Sequence, residues 1–230
     1  MPTDVLALVV YGSVARDDND RYSDTDVCVV HRDSAEPEDI MASIRETKAL
    51  STSDDSLLDL SLYGALAFQR MLESGSLFGW HLALEGKLLY DRGVVANLLS
   101  KITPYRRASA DILDYLELFG DVDKSLRSNG PVPFDLALLF TIARNTAMVL
   151  CTLGGSPEFG RTTVFDTADR LFNNRFSFAE SSYTGLLAWK LWYTRGQGTR
   201  PEAPSTQEMD AWLGHVRELL CFAERIASER

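Results

Sequence analysis

The chain has 230 residues and a formal net charge of −10, and 45% of its residues are hydrophobic. A chain of this length and composition folds as one large domain or two modest ones, which excludes intrinsically disordered and fibrous proteins. Residues 1–4 lack the pattern of a signal peptide, and no run of about 18 uncharged apolar residues occurs, so we expect a cytoplasmic protein without a membrane span.

The first half of the sequence alternates strand patterns with helix patterns. Short runs of β-branched, aromatic and other apolar residues predict four strands, at Val5–Val10, Val27–Val30, Leu57–Tyr63 and Lys87–Tyr90. Helices are predicted between them at Glu38–Ala49 and Gly64–Leu84, the second with a break near Gly75. This alternation predicts a small mixed β-sheet with helices packed against it.

The second half carries only helix patterns. Helices are predicted in five segments, at Tyr105–Leu126, Phe134–Leu153, Thr163–Phe172, Phe178–Tyr193 and Met209–Ala223. Ser205 and Glu208 have the spacing of a capping box ahead of the last segment. We therefore predict an α+β fold in two domains, with a small mixed-sheet domain at 1–93 and an all-α helical bundle at 94–230.

One segment of the first half has the residue types that phosphate and metal chemistry needs. The first strand ends in Gly12-Ser13, a polar loop follows, and the second strand starts with Asp24-Thr25-Asp26. Gly12 lets the backbone approach a phosphate closely, and Ser13 adds a hydroxyl and an N–H donor at a turn. Strand side chains alternate between faces, so Asp24 and Asp26 share a face, where two carboxylates can bind hard cations such as Mg²⁺.

A third carboxylate, Asp59, lies in the next predicted strand. Alternation places Asp59, Ser61 and Tyr63 on one face and leucines on the other, which is typical of a sheet that is packed below and open above. Each part of the pattern is common alone, but strand, Gly-Ser, loop, Asp-x-Asp and a later Asp rarely occur together. Three strand-borne carboxylates beside a Gly-Ser turn favour two-metal phosphoryl or nucleotidyl transfer.

The segments Tyr11–Arg16 and Tyr22–Asp26 resemble the nucleotidyltransferase superfamily that includes DNA polymerase β. Within it they look most like aminoglycoside (kanamycin-type) and minimal nucleotidyltransferases, in which a helical C-terminal domain is common. The resemblance implies an ATP-using, Mg²⁺-dependent enzyme. Such an enzyme moves AMP onto a hydroxyl group of a small molecule and releases pyrophosphate.

The resemblance also implies a role for each residue that matches the motif. Asp24 and Asp26 would bind Mg²⁺ and the nucleotide phosphates, and Asp59 would complete the second metal site and position the acceptor hydroxyl. The residues that would hold the triphosphate are Gly12 and Ser13. Arg16 is a further candidate for phosphate binding because a guanidinium suits a fork of oxygens, and pairing with the acidic loop that follows it is the alternative.

The net charge is concentrated in the first half, because residues 1–100 carry 8 basic and 17 acidic residues. This charge repels phosphate backbones, so we expect no extended nucleic-acid partner, and it suits a cationic acceptor such as an aminoglycoside. Two alternatives stay open. The first is an antitoxin-like enzyme that transfers AMP to a partner protein, and the second is a catalytically silent nucleotide-binding module. A homodimer is compatible with each of these hypotheses.

Other reactive side chains form no distinctive pattern. The kanamycin-type resemblance implies a general base from the helical half, and the sequence leaves four candidates open, Asp111, Asp114, Glu117 and Asp135. The cysteines, Cys28, Cys151 and Cys221, are odd in number and far apart. We therefore expect reduced, buried thiols rather than disulfides or a metal site.

Overall fold

The computed structural model describes residues 4–17, 24–46, 58–173 and 180–229 of the chain. The chain forms two compact units, Met1–Arg107 and Ala108–Arg230. Some predicted features lie outside the described residues: Tyr22 and Ser23 of the second motif, most of the acidic loop, residues 47–49, Leu57 and residues 178–179.

The first unit is built on a four-stranded sheet with the strand order β3-β2-β1-β4. Its strands are β1 (Val5–Tyr11), β2 (Thr25–His31), β3 (Leu58–Gly64) and β4 (Lys87–Asp91). β1 runs antiparallel to both β2 and β4, whereas β2 runs parallel to β3. Each strand falls on one of the four apolar runs of the sequence, which confirms the prediction of a small mixed sheet.

Helices connect the strands of this sheet. In the described part of the unit they are α1 (Gly12–Arg16), α2 (Pro37–Glu46), α3 (Ala65–Glu73), α4 (Leu77–Glu85) and α5 (Val95–Leu99). The predicted break at Gly75 separates α3 from α4. Gly75 has a φ of +65°, and a Cβ there would clash with the carbonyl oxygen of Pro104, so the turn requires glycine.

Both faces of the sheet are covered by helices. On one face, Val27 and Val29 pack with Ile40 and Ile44 of α2. On the other face, Cys28 and Val30 belong to a cluster with buried residues of α3, α4 and α5, namely Phe68, Leu72, Leu82 and Val95. Alternate residues of each strand therefore enter opposite layers, as the two-residue period of a strand requires. The predicted α+β architecture is confirmed.

The first unit extends beyond residue 93, where the sequence places its end, to Arg107. The physical reason is α5, whose Val95 is fully buried in the same cluster as Phe68. The indole of Trp80 also donates a hydrogen bond to the carbonyl of Thr103 at 3.1 Å. The segment 94–107 therefore belongs to the first unit, and the helical unit begins after it.

The second unit is a bundle in which five helices are described. They are α6 (Ala108–Asn129), α7 (Pro133–Leu153), α8 (Thr163–Leu171), α9 (Glu180–Arg195) and α10 (Thr206–Ser228). α7 is central, because it packs against each of the other four. The predicted capping box is present: the Ser205 hydroxyl accepts from the Glu208 N–H, and the Glu208 carboxylate accepts from the Ser205 N–H.

By length and composition, α7 alone among the described helices could cross a membrane, with a mean hydropathy of 1.7 in its most apolar window. Within that window, however, 67% of the residues are buried inside the structure. The central helix of a bundle meets the same two criteria, because it is apolar on every side that its neighbours cover. The position of α7 is that of a core helix.

The three cysteines differ in their surroundings. Cys28 in β2 and Cys151 in α7 are buried thiols, as the sequence predicts, whereas Cys221 in α10 is exposed. The prediction of a buried thiol is wrong at position 221 because Leu220 lies on the buried face of α10, and the next residue points away from it.

Candidate functional site

The candidate residues of the first unit meet at one edge of its sheet, where β1 ends and where β2 and β3 begin. Strand register places Tyr11 opposite Asp26, and Asp26 opposite Asp59, so these residues form a row across three neighbouring strands. Neighbouring strands lie about 4.8 Å apart, and paired residues project from the same face of a sheet. The fold therefore brings Asp26 and Asp59 together on one face.

Gly12 begins α1 directly after the last residue of β1. It is buried and has a φ of +73°, and a Cβ at this position would clash with Oδ2 of Asp26. A side chain is thus disfavoured twice, by the left-handed backbone conformation and by the neighbouring carboxylate. The carboxylate of Asp26 lies against the backbone of the Gly-Ser turn.

The other two motif residues at this edge are Ser13 and Asp24. Ser13 is half-buried in the first turn of α1, and Asp24 is half-buried immediately before β2. Across the residues that the structure describes, no three His, Cys, Asp or Glu side chains lie close enough together to hold one metal ion. The edge therefore presents Asp26 and Asp59 as paired neighbours, with Asp24 two residues before Asp26.

The side chain of Tyr11 crosses β2 on the same face as the carboxylates. Its Oη lies 3.0 Å from Oγ of Ser61 in β3. Its ring packs edge-on against Phe78 and His81 of α4, with centroid distances of 5.2 and 5.3 Å. The phenol ring therefore separates the polar edge of the sheet from the apolar cluster beneath α4.

Tyr11 is a neutral phenol at physiological pH. Burial raises the pKa of Tyr11 to about 12, and the negative charges of Asp26 and Asp59 also raise it. The hydrogen bond with Ser61 lowers this pKa, but its effect is smaller than that of burial. Both carboxylates are thus close enough to influence the hydroxyl electrostatically. The hydroxyl keeps its proton beside two acidic groups.

Arg16, the predicted phosphate contact, forms an ion pair within the protein. Its Nη1 donates to Oε2 of Glu85 at 2.6 Å, and Nε2 of His81 lies 2.9 Å from the same oxygen. Burial opposes the ionisation of Glu85, but the hydrogen bonds from His81 and Arg16 outweigh it, so the pKa of Glu85 is lowered. This ion pair ties α1 to the last residue of α4, and phosphate binding by Arg16 stays a prediction.

Residues 2–66 match the family of nucleotidyltransferase domains. The matched region runs from β1 to β3, including α1, β2 and α2, and it contains every predicted metal and phosphate residue from Gly12 to Asp59. This region is similar to nucleotidyltransferase domains. A search of curated proteins found no match for the chain. The superfamily resemblance of the sequence is confirmed, and the domain supports nucleotidyl transfer as the general activity.

Nucleotidyltransferase domains typically act on a nucleoside triphosphate with a divalent metal, and the residues of this edge fit such a metal in their donor chemistry. Mg²⁺ takes oxygen ligands and is commonly held by one or two carboxylates together with substrate phosphates. The neighbouring Asp26 and Asp59 supply such a pair, and Gly12 leaves the adjacent backbone without a side chain. A cage of protein ligands is not required, because substrate phosphates would complete the coordination.

Sequence reasoning missed Glu85, which the fold places beside Arg16 of α1. Its spacing of four residues from His81 could have indicated their contact on α4, but its contact with Arg16 depends on the fold. Asp135, one of four candidate bases, is buried and accepts a hydrogen bond from Ser125 at 2.6 Å. Asp135 therefore has a hydrogen-bond partner in the bundle, and the choice among the four candidate bases stays open.

Proposed function

We propose that the chain is a Mg²⁺-dependent nucleotidyltransferase that moves AMP from ATP onto a hydroxyl group of a small molecule. The match to nucleotidyltransferase domains supports only the general activity, and the proposal adds the nucleotide, the metal and the class of acceptor. It is supported above all by one observation, the row that pairs Asp26 with Asp59 while the carboxylate of Asp26 lies against Gly12. A carboxylate pair for a metal thus lies beside the Gly-Ser turn that is proposed to hold the phosphates.

In the proposed reaction, the acceptor oxygen attacks the α-phosphorus of ATP and passes its proton to a general base, and a new P–O bond forms as the bond to pyrophosphate breaks. When bound, Mg²⁺ neutralises phosphate charge and lowers the pKa of the attacking hydroxyl. Asp26 and Asp59 would hold the metal from adjacent strands, with Asp24 as a further ligand. Gly12 and Ser13 would orient the phosphates through backbone N–H groups and the serine hydroxyl.

The charge of the first half supports a cationic acceptor. Residues 1–100 carry 17 acidic and 8 basic residues, which attracts polycations to this part of the chain and repels polyanions. An aminoglycoside combines several hydroxyl groups with several ammonium groups, so it satisfies both the reaction and the charge. We therefore propose an aminoglycoside-like compound as the acceptor class.

The test is transfer of radioactive label from ATP labelled at the α-phosphate, with Mg²⁺ and a panel of aminoglycosides. The wild type should label a small molecule and release pyrophosphate, and Asp26→Asn should lose this activity while its stability changes by about 1 kcal/mol or less. Asp39→Asn, which removes an exposed carboxylate of α2, is the matched control and should retain activity.

Three other outcomes would contradict the proposal in distinct ways. Labelled protein in a cell extract without a labelled small molecule would favour AMP transfer to a partner protein. Nucleotide binding without any turnover would favour a silent binding module. Full activity of Asp26→Asn would remove the metal assignment, because one of the two paired carboxylates would then be dispensable.

A further inference from the structure

The contact between Tyr11 and Ser61 joins two strands that are not neighbours. In the strand order β3-β2-β1-β4, β2 lies between β1 and β3, so the tyrosine side chain must span β2 to reach Ser61. The register places Ser61 opposite Cys28, two residues beyond the pair Asp26 and Asp59. The hydroxyl contact therefore lies directly beside the paired carboxylates, on the face that they share.

The position of the phenol is fixed from the opposite side. Its ring contacts Phe78 and His81 of α4 edge-on, and Phe78 is itself stacked on Tyr63 of β3 at 5.7 Å with an interplanar angle of 24°. A ring held on two sides has little rotational freedom, so its hydroxyl stays at one place above β2. The Oη of Tyr11 is thus held in place on the face that carries both carboxylates.

The hydroxyl pair has one proton more than its own hydrogen bond uses. Tyr11 and Ser61 each contribute one O–H, and their mutual hydrogen bond consumes one of the two protons. In the part of the chain that the structure describes, neither side chain makes a second hydrogen bond. The remaining proton is not used by the pair, and the two carboxylates that share this face, Asp26 and Asp59, both act electrostatically on the Tyr11 hydroxyl.

We propose that Tyr11 and Ser61 act as one positioning unit that orients Asp26 and Asp59 as ligands of the metal–nucleotide complex. The inference rests on the proposed function, because it assigns residues behind the same metal site. Two like-charged carboxylates repel each other, and a neutral donor between the strands offsets that repulsion at one geometry. Hydrogen-bond partners behind metal ligands commonly change metal affinity or activity about 10- to 100-fold when they are removed.

The variants Tyr11→Phe and Ser61→Ala each remove one hydroxyl and preserve the packing around it. The experiment measures binding of Mn²⁺ in the presence of a non-hydrolysable ATP analogue. Binding is detected as the loss of the electron paramagnetic resonance signal of free Mn²⁺. Each variant should weaken Mn²⁺ binding about 10-fold. The double variant should bind no worse than either single variant, because the two hydroxyls act as a unit. Ser61→Thr keeps the hydroxyl and should bind like the wild type.

Tyr63→Phe is the matched control. Tyr63 is half-buried on β3 and stacks on Phe78, and its hydroxyl makes no hydrogen bond with any described residue. This variant should bind Mn²⁺ like the wild type, and circular dichroism melting curves should show that all variants are folded. Equal Mn²⁺ binding by wild type, Tyr11→Phe and Ser61→Ala would overturn the inference, as would strictly additive losses in the double variant. Absence of Mn²⁺ binding by the wild type would instead overturn the proposed function.

Discussion

Gly12 offers a direct perturbation of the predicted site. Its φ of +73° lies in the left-handed region, and a Cβ at this position would clash with Oδ2 of Asp26. Gly12→Ala therefore imposes two separable costs, the strain of an L-residue at positive φ and the displacement of a carboxylate. Gly93 provides the matched control because it has a φ of +82° and no described atom within 4 Å of its ideal Cβ position.

The two glycines should separate these costs. The strain of an alanine at positive φ is about 1–2 kcal/mol, so Gly93→Ala should lose about that much free energy of unfolding. Gly12→Ala should lose more, because the carboxylate of Asp26 must move or the turn must open. Displacement of a reacting group by about 1 Å commonly costs about 100-fold in rate, and we expect a loss of that size in nucleotidyl transfer.

The assays are urea unfolding and label transfer from ATP, performed on both variants. A third variant, Gly12→Ala combined with Asp26→Ala, removes the carboxylate that the new methyl group would meet. In that background the extra loss of stability at position 12 should disappear and only the strain should remain. Equal destabilisation by Gly12→Ala and Gly93→Ala, with full activity in both, would refute the placement of Asp26 against the Gly-Ser turn.

Three further predictions concern residues outside this contact. Because the pKa of Glu85 is lowered in the folded chain, its ion pair stabilises the fold fully above the ordinary pKa of 4.5 and progressively less as the pH falls below that value. Urea unfolding at a series of pH values should therefore show that the difference in unfolding free energy between wild type and Glu85→Gln shrinks below pH 4.5. Burial raises the pKa values of Cys28 and Cys151 to about 12, and Cys221 is exposed. A thiol reagent at pH 8 should therefore rapidly modify only Cys221 in the native chain, and all three thiols after unfolding. Rapid modification of a second thiol in the native chain would contradict this prediction. Ser205→Ala removes the capping box of α10 and should cost about 1 kcal/mol in unfolding free energy without changing nucleotide binding.

Much of the fold could be predicted from periodicity in the sequence. The strands fall on short apolar runs, and a helix such as α10 buries one stripe of side chains, which leaves a repeating pattern in the sequence. The helices α1 and α5 have five residues each, which is too short for a pattern. The end of the first unit also escaped prediction, since the burial of Val95 against Phe68 is a contact between distant parts of the chain.

The residue types of the candidate site could be chosen from the sequence, whereas the contacts between these residues could not. Gly12, Asp26 and Asp59 could be chosen because their chemistry and their strand positions suit a metal and a phosphate. The sequence does not contain the register that pairs Asp26 with Asp59, since a slip of one residue would turn Asp59 to the other face. The ion pair of Arg16 with Glu85 likewise depends on how α4 packs beside α1.

The central claim is that Asp26 and its neighbours hold a metal–nucleotide complex at the edge of the first sheet. Calorimetric titration of a non-hydrolysable ATP analogue into the wild-type chain and into Asp26→Asn, each with and without Mg²⁺, tests it most directly. Binding by the wild type should require Mg²⁺, and Asp26→Asn should lose it. Equal binding with and without Mg²⁺, or unchanged Mg²⁺-dependent binding in Asp26→Asn, would contradict the claim.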